Sequence, residues 1–165
     1  MQHWTVGAGL IVGEEGLLLV RNLRRNDRED WTPPGGVIEE GEPLLEGLTR
    51  EVLEETGLTV AEWQGPVYEV RCEAPEMGWT LRVEVHLAVS YEGELRVEDP
   101  DGIVVEARFV GDDDLSALLA GNHRWVLEPL TDWLSERWHH HETRSYSFRV
   151  TGAPPHDVVV TRVNP

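Results

Sequence analysis

"GGVIEEGEPLLEGLTREVLEETGL", Gly35 to Leu58, gathers acids where an ordinary amphipathic helix would spread them. Leu44 to Glu55 reads as a helix, with Glu42 and Pro43 suited to its start and Gly57 to its stop. Glutamates three and four apart share a face, and like pairs there cost about a few tenths of a kcal/mol. At about 100° per residue, Glu51, Glu54 and Glu55 span a wedge of roughly 100°. That wedge adjoins the apolar stripe Leu45, Leu48 and Val52, which must face the core. Gly47 falls inside it one turn earlier; a mid-helix glycine costs about 1 kcal/mol against alanine, and here it is expected to leave a hollow before the acids. Two readings follow. The helix is an acidic amphipathic one with a tolerated glycine, or a hard divalent cation belongs among the clustered carboxylates.

The rest of the chain narrows the class. Its 165 residues suit one domain with a real core, and 40% hydrophobic with 27% charged residues is an ordinary globular composition. The net charge of -17 would repel DNA or RNA, so a nucleic-acid polymer is not an expected partner. All fourteen basic residues are arginine, as a coding bias or a set of phosphate contacts would give. "WTVGAGLIVG" is short and lacks a basic flank, so it reads as a first strand and not as a signal or membrane segment. The single Cys72 can form no internal disulfide, which fits a reducing, cytoplasmic setting, and it is expected in the core.

Strands are expected at Thr5 to Val12 and Leu17 to Asn22, around the turn "GEEG". "TLRVEVHLAVS" alternates, with Leu81, Val83, Val85, Leu87 and Val89 inward and Arg82, Glu84 and His86 outward. "EARFV" is another short strand. Helices are expected over Asp113 to Leu119 and Arg124 to Trp138. "SYSFRV" and "DVVVTRV" read as two strand-like runs. This order predicts an α/β (α+β) fold, a mixed sheet with helices on both sides.

Gly36, Glu42, Arg50, Glu51, Val52, Glu54, Glu55, Gly57 and Leu58 fit G-x5-E-x7-R-E-U-x-E-E-x-G-U without a departure, U being a bulky aliphatic residue. This stretch closely resembles the signature of the Nudix hydrolases (MutT-like proteins). "WTPPGG" resembles that family's usual lead-in, and the likeness in layout runs from Trp4 to Leu134. The resemblance implies the Nudix fold over residues 1–138; the tail from Glu142 lies outside it, and residues 139–165 read as a C-terminal extension with a hairpin, packed on the domain or at a dimer interface. It implies Mg2+, or Mn2+ in its place, held by Glu51, Glu54, Glu55 and a backbone carbonyl at Gly35–Gly36. Glu42 and Arg50 resemble the family's internal ion pair. The implied chemistry is attack of water on a diphosphate linkage, the ions lowering the water's pKa and neutralising phosphate oxygens. Glu54 is the candidate base, with Glu51 the competitor.

A further acid is expected from "EDPDGIVVEARF", where Glu98, Asp99, Asp101 and Glu106 stand open and Glu106 is marginally preferred for nearness to its strand. For the substrate, a small phosphorylated molecule with a nucleotide as default, Arg21 is the preferred contact among Arg21, Arg24, Arg25 and Arg28. Trp31 is one of several aromatics able to stack on a base, beside Trp4, Tyr68, Trp79 and Trp125. His139 to His141 cannot converge on one ion from a helix. The face Tyr146, Phe148 and Val150 must be covered by its own domain or by another copy, and a homodimer is the expectation. A different class stays open: a Nudix-fold module that binds a nucleotide without cleaving it. A prenyl-diphosphate isomerase would need a catalytic cysteine, and Cys72 sits in no motif for one.

Overall fold

The computed structural model describes residues 1–138 and 141–163. Along the chain run β1 (Gln2–Leu10), β2 (Val12–Gly13), β3 (Gly16–Leu23), β4 (Glu29–Thr32), β5 (Gly35–Val37) and α1 (Leu44–Thr56). Then come β6 (Leu58–Ala74), β7 (Trp79–Gly93), β8 (Val104–Val110), α2 (Asp112–Leu119), α3 (Arg124–Glu136), β9 (Arg144–Thr151) and β10 (Val159–Val163). His139 and His140 of the histidine run lie outside the described residues.

The expected mixed sheet is a six-stranded one ordered β10-β9-β6-β7-β1-β5. Its β1–β7 and β6–β9 pairs are parallel and the rest antiparallel. A smaller antiparallel sheet stands against it, where β3 carries β8 on one edge and shares the other between β2 and β4. Sequence reading did not separate these two sheets. Their strands feed two apolar clusters. Leu17 and Leu19 of β3 join one, with Val70, Leu130 and Phe148, while Leu18 joins the other, with Leu48 and Val52 of α1. A strand whose alternate residues enter different cores reads as a continuous apolar run.

The long strand β6 was invisible in the sequence for a related reason. Leu58 and Val60 join the α1 cluster, whereas Val70 and Cys72 join the other. Between them lie register shifts around Glu62 and from Gln64 to Tyr68, so no single alternation spans the strand. Those shifts also overturn one expectation on β7. His86, placed outward by alternation, is 5% exposed and its Nε2 pairs with Glu84 at 3.0 Å. The β6 backbone at Gly65 folds over it, so close that a Cβ there would meet His86 Nδ1 at 3.0 Å. Val89, placed inward, is exposed.

Helix α1 is fixed to the larger sheet by close contacts. Its Leu48 and Val52 are fully buried, but Leu45, expected in the same stripe, is exposed, and it is Leu44 that packs with Leu48 toward Gly7 of β1. Trp63 of β6 lies where a Cβ on Gly9 would be, 2.6 Å from a ring carbon, and its Nε1 donates to Thr49 of α1 at 3.0 Å. Gly57 ends the helix with φ 80°, its N–H donating to Leu53 O. A Cβ on Gly57 would also stand 2.4 Å from Glu94 O, so the residue does more than cap. The segment after β7 crosses there, Arg96 N donating to Thr56 O and Glu98 N to Glu54 O. Carbonyls orphaned at the helix end thereby dock the late acidic loop.

The C-terminal hairpin completes the larger sheet. β9 lies parallel to β6, and Tyr146, Phe148 and Val150 are buried in the chain's own core. The ground for expecting a homodimer is thereby removed. Helix α3 stops at Glu136 and not at Trp138, because Arg137 adopts left-handed backbone (φ 49°). Trp138 then turns back, and its Nε1 donates to Val67 O at 2.7 Å.

Candidate active site

The two glycines before α1 lie in strand β5, with Gly36 opposite Gly7 and Gly35 opposite Ala8. Their lack of side chains is decisive. A Cβ on Gly35 would stand 2.1 Å from Gly7 O, and one on Gly36 would stand 2.7 Å from the Glu51 carboxyl carbon. The bare strand lets Glu51 lie flat against it. Glu55, one turn on, is 4% exposed and accepts a backbone hydrogen bond from Gly35.

Gly47 has another role than the one its place in the wedge suggested. The space in front of it is filled, since a Cβ would meet Glu42 Oε1 at 2.7 Å and Ile38 Cδ1 at 2.9 Å. Glu42 is thereby seated for Arg50, whose Nε and Nη2 reach its two oxygens at 3.2 Å each. Arg50 Nη1 donates to Glu51 at 3.2 Å and approaches Glu54 at 3.5 Å. The expected ion pair is present, and its guanidinium also holds two of the motif acids. That contact with Arg50 keeps the Glu42 carboxyl below its usual range.

Electrostatics divide the acids. Burial, reinforced by Glu51 and Asp99, pushes Glu55 up to about 9. Glu51 is also raised, mainly by burial, with Arg50 opposing. Two carboxylates sharing a part-dry corner cannot both ionise without a cation or a proton. Among the described residues, no three carboxylate, imidazole or thiol groups already form a closed metal cage. Glu51 and Glu55 share a hydrogen bond, and Glu54 turns to Arg50. The corner nonetheless fits a hard divalent ion: its donors are carboxylate oxygens, and the bare Gly36 leaves them room.

The corner opens into a cleft of about 600 Å³. Val6, Ala8, Val70, Val83 and Val85 form an aliphatic floor, with Trp125, Val126 and Leu130 of α3 as a wall. Gly35, Gly36, Glu39, Glu51, Glu55, Asp99 and Asp101 lie at the acidic end. Of the late acids, Asp99 and Asp101 therefore reach the cleft. Asp99 is fixed in place by accepting from the N–H groups of Asp101, Ile103 and Val104.

Three sequence-predicted residues are not brought to this cleft. Arg21 donates to Glu29 at 2.8 Å and to Glu106 at 3.2 Å, and Trp31 lies under the Arg108 guanidinium at 5.0 Å. The reason is strand phase. Asn22 and Thr32 line the cleft, and Arg21, Trp31 and Glu106 are register partners on the opposite face of the small sheet. Glu106, preferred in the sequence, thus lies away from the corner, while Asp99 and Asp101 of the same late stretch lie at it. Asn22, missed in the sequence, was findable as a polar residue in phase with Leu18 and Val20. Its Nδ2 donates to Asp30 and Thr32. Cys72 is buried outside the cleft lining with its thiol pushed to about 12 by burial, so it is no nucleophile.

A mixed sheet with a glycine strand set against an acidic helix edge defines an α+β protein built round a carboxylate corner. Residues 1–134 match the NUDIX domain, and the chain belongs to the Nudix family. A MutT-like protein of Streptomyces ambofaciens is 49% identical over 58 residues, 35% of this chain and 36% of that protein. The 8-oxo-dGDP phosphatase NUDT18 of Danio rerio is 37% identical over 70 residues, 38% of this chain and 22% of that protein. The chain thus matches about a third or less of the length of these curated relatives. Among solved structures, the MutT NUDIX hydrolase from Burkholderia pseudomallei is similar with a TM-score of 0.64 at 27% identity, covering 78% of this chain and 98% of that one. The E. coli ORF135 protein matches in fold with a TM-score of 0.66 at 20% identity, over 83% of this chain and 94% of that one.

Proposed function

We propose that the protein is a metal-dependent pyrophosphohydrolase that cleaves a diphosphate linkage in a nucleoside diphosphate-X type substrate, with a nucleoside triphosphate or a modified nucleotide as the default. The observation that carries this reading is the buried Glu55 beside the partly buried Glu51 at Gly36, facing a cleft large enough for a nucleotide. Glu51 and Glu55, with Asp99 or Asp101 from the docked loop, would hold Mg2+, or Mn2+ in its place; Glu54 and the Gly35–Gly36 backbone complete the donor set. When bound, such ions neutralise phosphate oxygens and lower the pKa of the attacking water. Glu54, at the rim beside Arg50, takes the proton from that water, and Glu51 is the competitor for this role. Arg50 acts through Glu42, Glu51 and Glu54, its fork being filled by them. The aliphatic floor and Trp125 seat the organic part of the substrate and exclude bulk water. This hydrolysis needs no second copy of the chain, and a free buried Cys72 is compatible with a cytoplasmic site of action.

The test is phosphate and pyrophosphate release over a nucleotide panel, with and without magnesium, run beside Glu54→Gln. Magnesium-dependent release that drops in the variant is the expected result. Tight binding of a nucleotide with no release from any diphosphate would make the protein a binding module instead.

A further inference from the structure

Most arginines of this chain hold carboxylates or lie over aromatic rings. Among the described residues, Arg25, Arg28 and Arg71 do neither. In a chain of net charge -17, a cation left without a carboxylate is unusual. Arg25 and Arg28 line one cavity of about 410 Å³ together with Asn26, Asn122, His123 and Trp125. Two unengaged guanidinium groups facing one space fit a multiply charged oxyanion, because their planar forks match phosphate oxygens.

The cavity also carries a flat wall. The His123 ring stacks on Trp125 with centroids 4.2 Å apart and planes at 14°. Burial, with Arg28 and Arg24 nearby, keeps that imidazole below its usual value. It therefore offers a neutral ring and a hydrogen-bonding nitrogen, and not a third charge. The cavity is continuous with the acidic cleft, since Arg24, Thr32, Trp125 and Val126 line both. Arg24 itself is tied to Asp30 at 2.9 and 3.1 Å. A ligand with its diphosphate at the acidic corner and its ring against Trp125 would reach Arg25 and Arg28 with its far end.

We propose that this cavity is a subsite for a second phosphate carried by the substrate, separated from the scissile diphosphate by the nucleoside. The proposal rests on the cleft being a diphosphate-hydrolase site and narrows the substrate class to nucleotides phosphorylated twice over. The two ends of the cleft then handle phosphate by opposite means: the corner through a cation, the arginine end directly.

Calorimetric titration in magnesium of adenosine 2′,5′- and 3′,5′-bisphosphate against adenosine 5′-monophosphate tests this without needing turnover. At least one bisphosphate is expected to bind the wild type about tenfold tighter, the scale of one or two charge-assisted hydrogen bonds. That advantage disappears in Arg25→Gln/Arg28→Gln and persists in Arg71→Gln, which removes an equally unengaged arginine outside the cavity. Equal affinities in the wild type, or an advantage that survives the double substitution, would overturn the proposal. So would inorganic phosphate binding as tightly as the bisphosphates, which would make the cavity a free-anion site. A protein that cleaves no diphosphate would defeat the hydrolase reading and still leave this affinity difference measurable.

Discussion

The corner between β5 and α1 and the C-terminal hairpin both carry a surface that water or solitude cannot satisfy, and they resolve it differently. The hairpin offers Tyr146, Phe148 and Val150, and the chain's own core covers all three. At the corner Glu51 and Glu55 are drawn toward the interior, and among the described residues no basic side chain pairs with Glu55, Arg50 holding Glu42, Glu51 and Glu54. One region completes itself; in the other, burial and the neighbouring acids hold Glu55 well above the ordinary carboxylate range. Self-sufficient burial stabilises a fold, whereas an unbalanced buried charge marks where something else is expected to bind.

That contrast implies separable losses. Phe148→Ala should lower unfolding free energy by about 3–5 kcal/mol, the usual result of emptying a buried aromatic site. Chemical denaturation measures it, and the residual folded protein should keep its turnover number. Glu51→Gln should do the reverse, reducing kcat/KM by about 10²–10³-fold, as when a group that balances transition-state charge is removed. Its melting temperature should no longer rise with magnesium. If Phe148→Ala instead lost turnover in the folded state, the two regions would not be independent.

A milder change tests the corner's shape. Gly36→Ala pushes a methyl group against the Glu51 carboxylate, and overpacking of this kind costs about 1–3 kcal/mol. Magnesium affinity should fall as well, read by calorimetry, because the carboxylate must rotate away. The smallest effect is on pH dependence. The Glu55 carboxyl, raised to about 9 in the fold, is protonated in the native state where the unfolded chain has already released its proton. Stability from this group is therefore full below the ordinary carboxylate range and lost as pH rises toward 9. In EDTA the melting temperature should decline from pH 5 to pH 9, and magnesium should offset the decline. A flat profile in EDTA would mean that Glu55 is not held neutral.

What the sequence disclosed follows from how local each determinant is. The α1 boundaries and the acid wedge depend on spacing within one helix and its lead-in, and they were readable; the Glu42–Arg50 pair was implied by the family resemblance. Leu45 was misassigned because leucines stand at both 44 and 45, and it is Leu44 that packs toward Gly7 of β1. Arg21, Trp31 and Glu106 lie together away from the cleft, since as register partners they share one face of the small sheet, and the apolar run of β3 does not reveal which face that is. Asp99 was weighed but not preferred: its position depends on backbone bonds from the late loop to the end of α1, which no periodicity encodes. The cover over the hairpin was likewise undecidable from alternation, which shows that a face is apolar and not whose atoms meet it.

The parallel pairing of β1 with β7 has a consequence for synthesis. The register runs from Gln2↔Trp79 to Leu10↔Leu87, so β1 is synthesised well before its partner, which follows only after the whole motif. Until then the bare strand at Gly35–Gly36 has no settled backing, and the acids of α1 have nothing to lie against. The carboxylate corner thus rests on contacts distant in sequence, of the kind that slow a chain's folding.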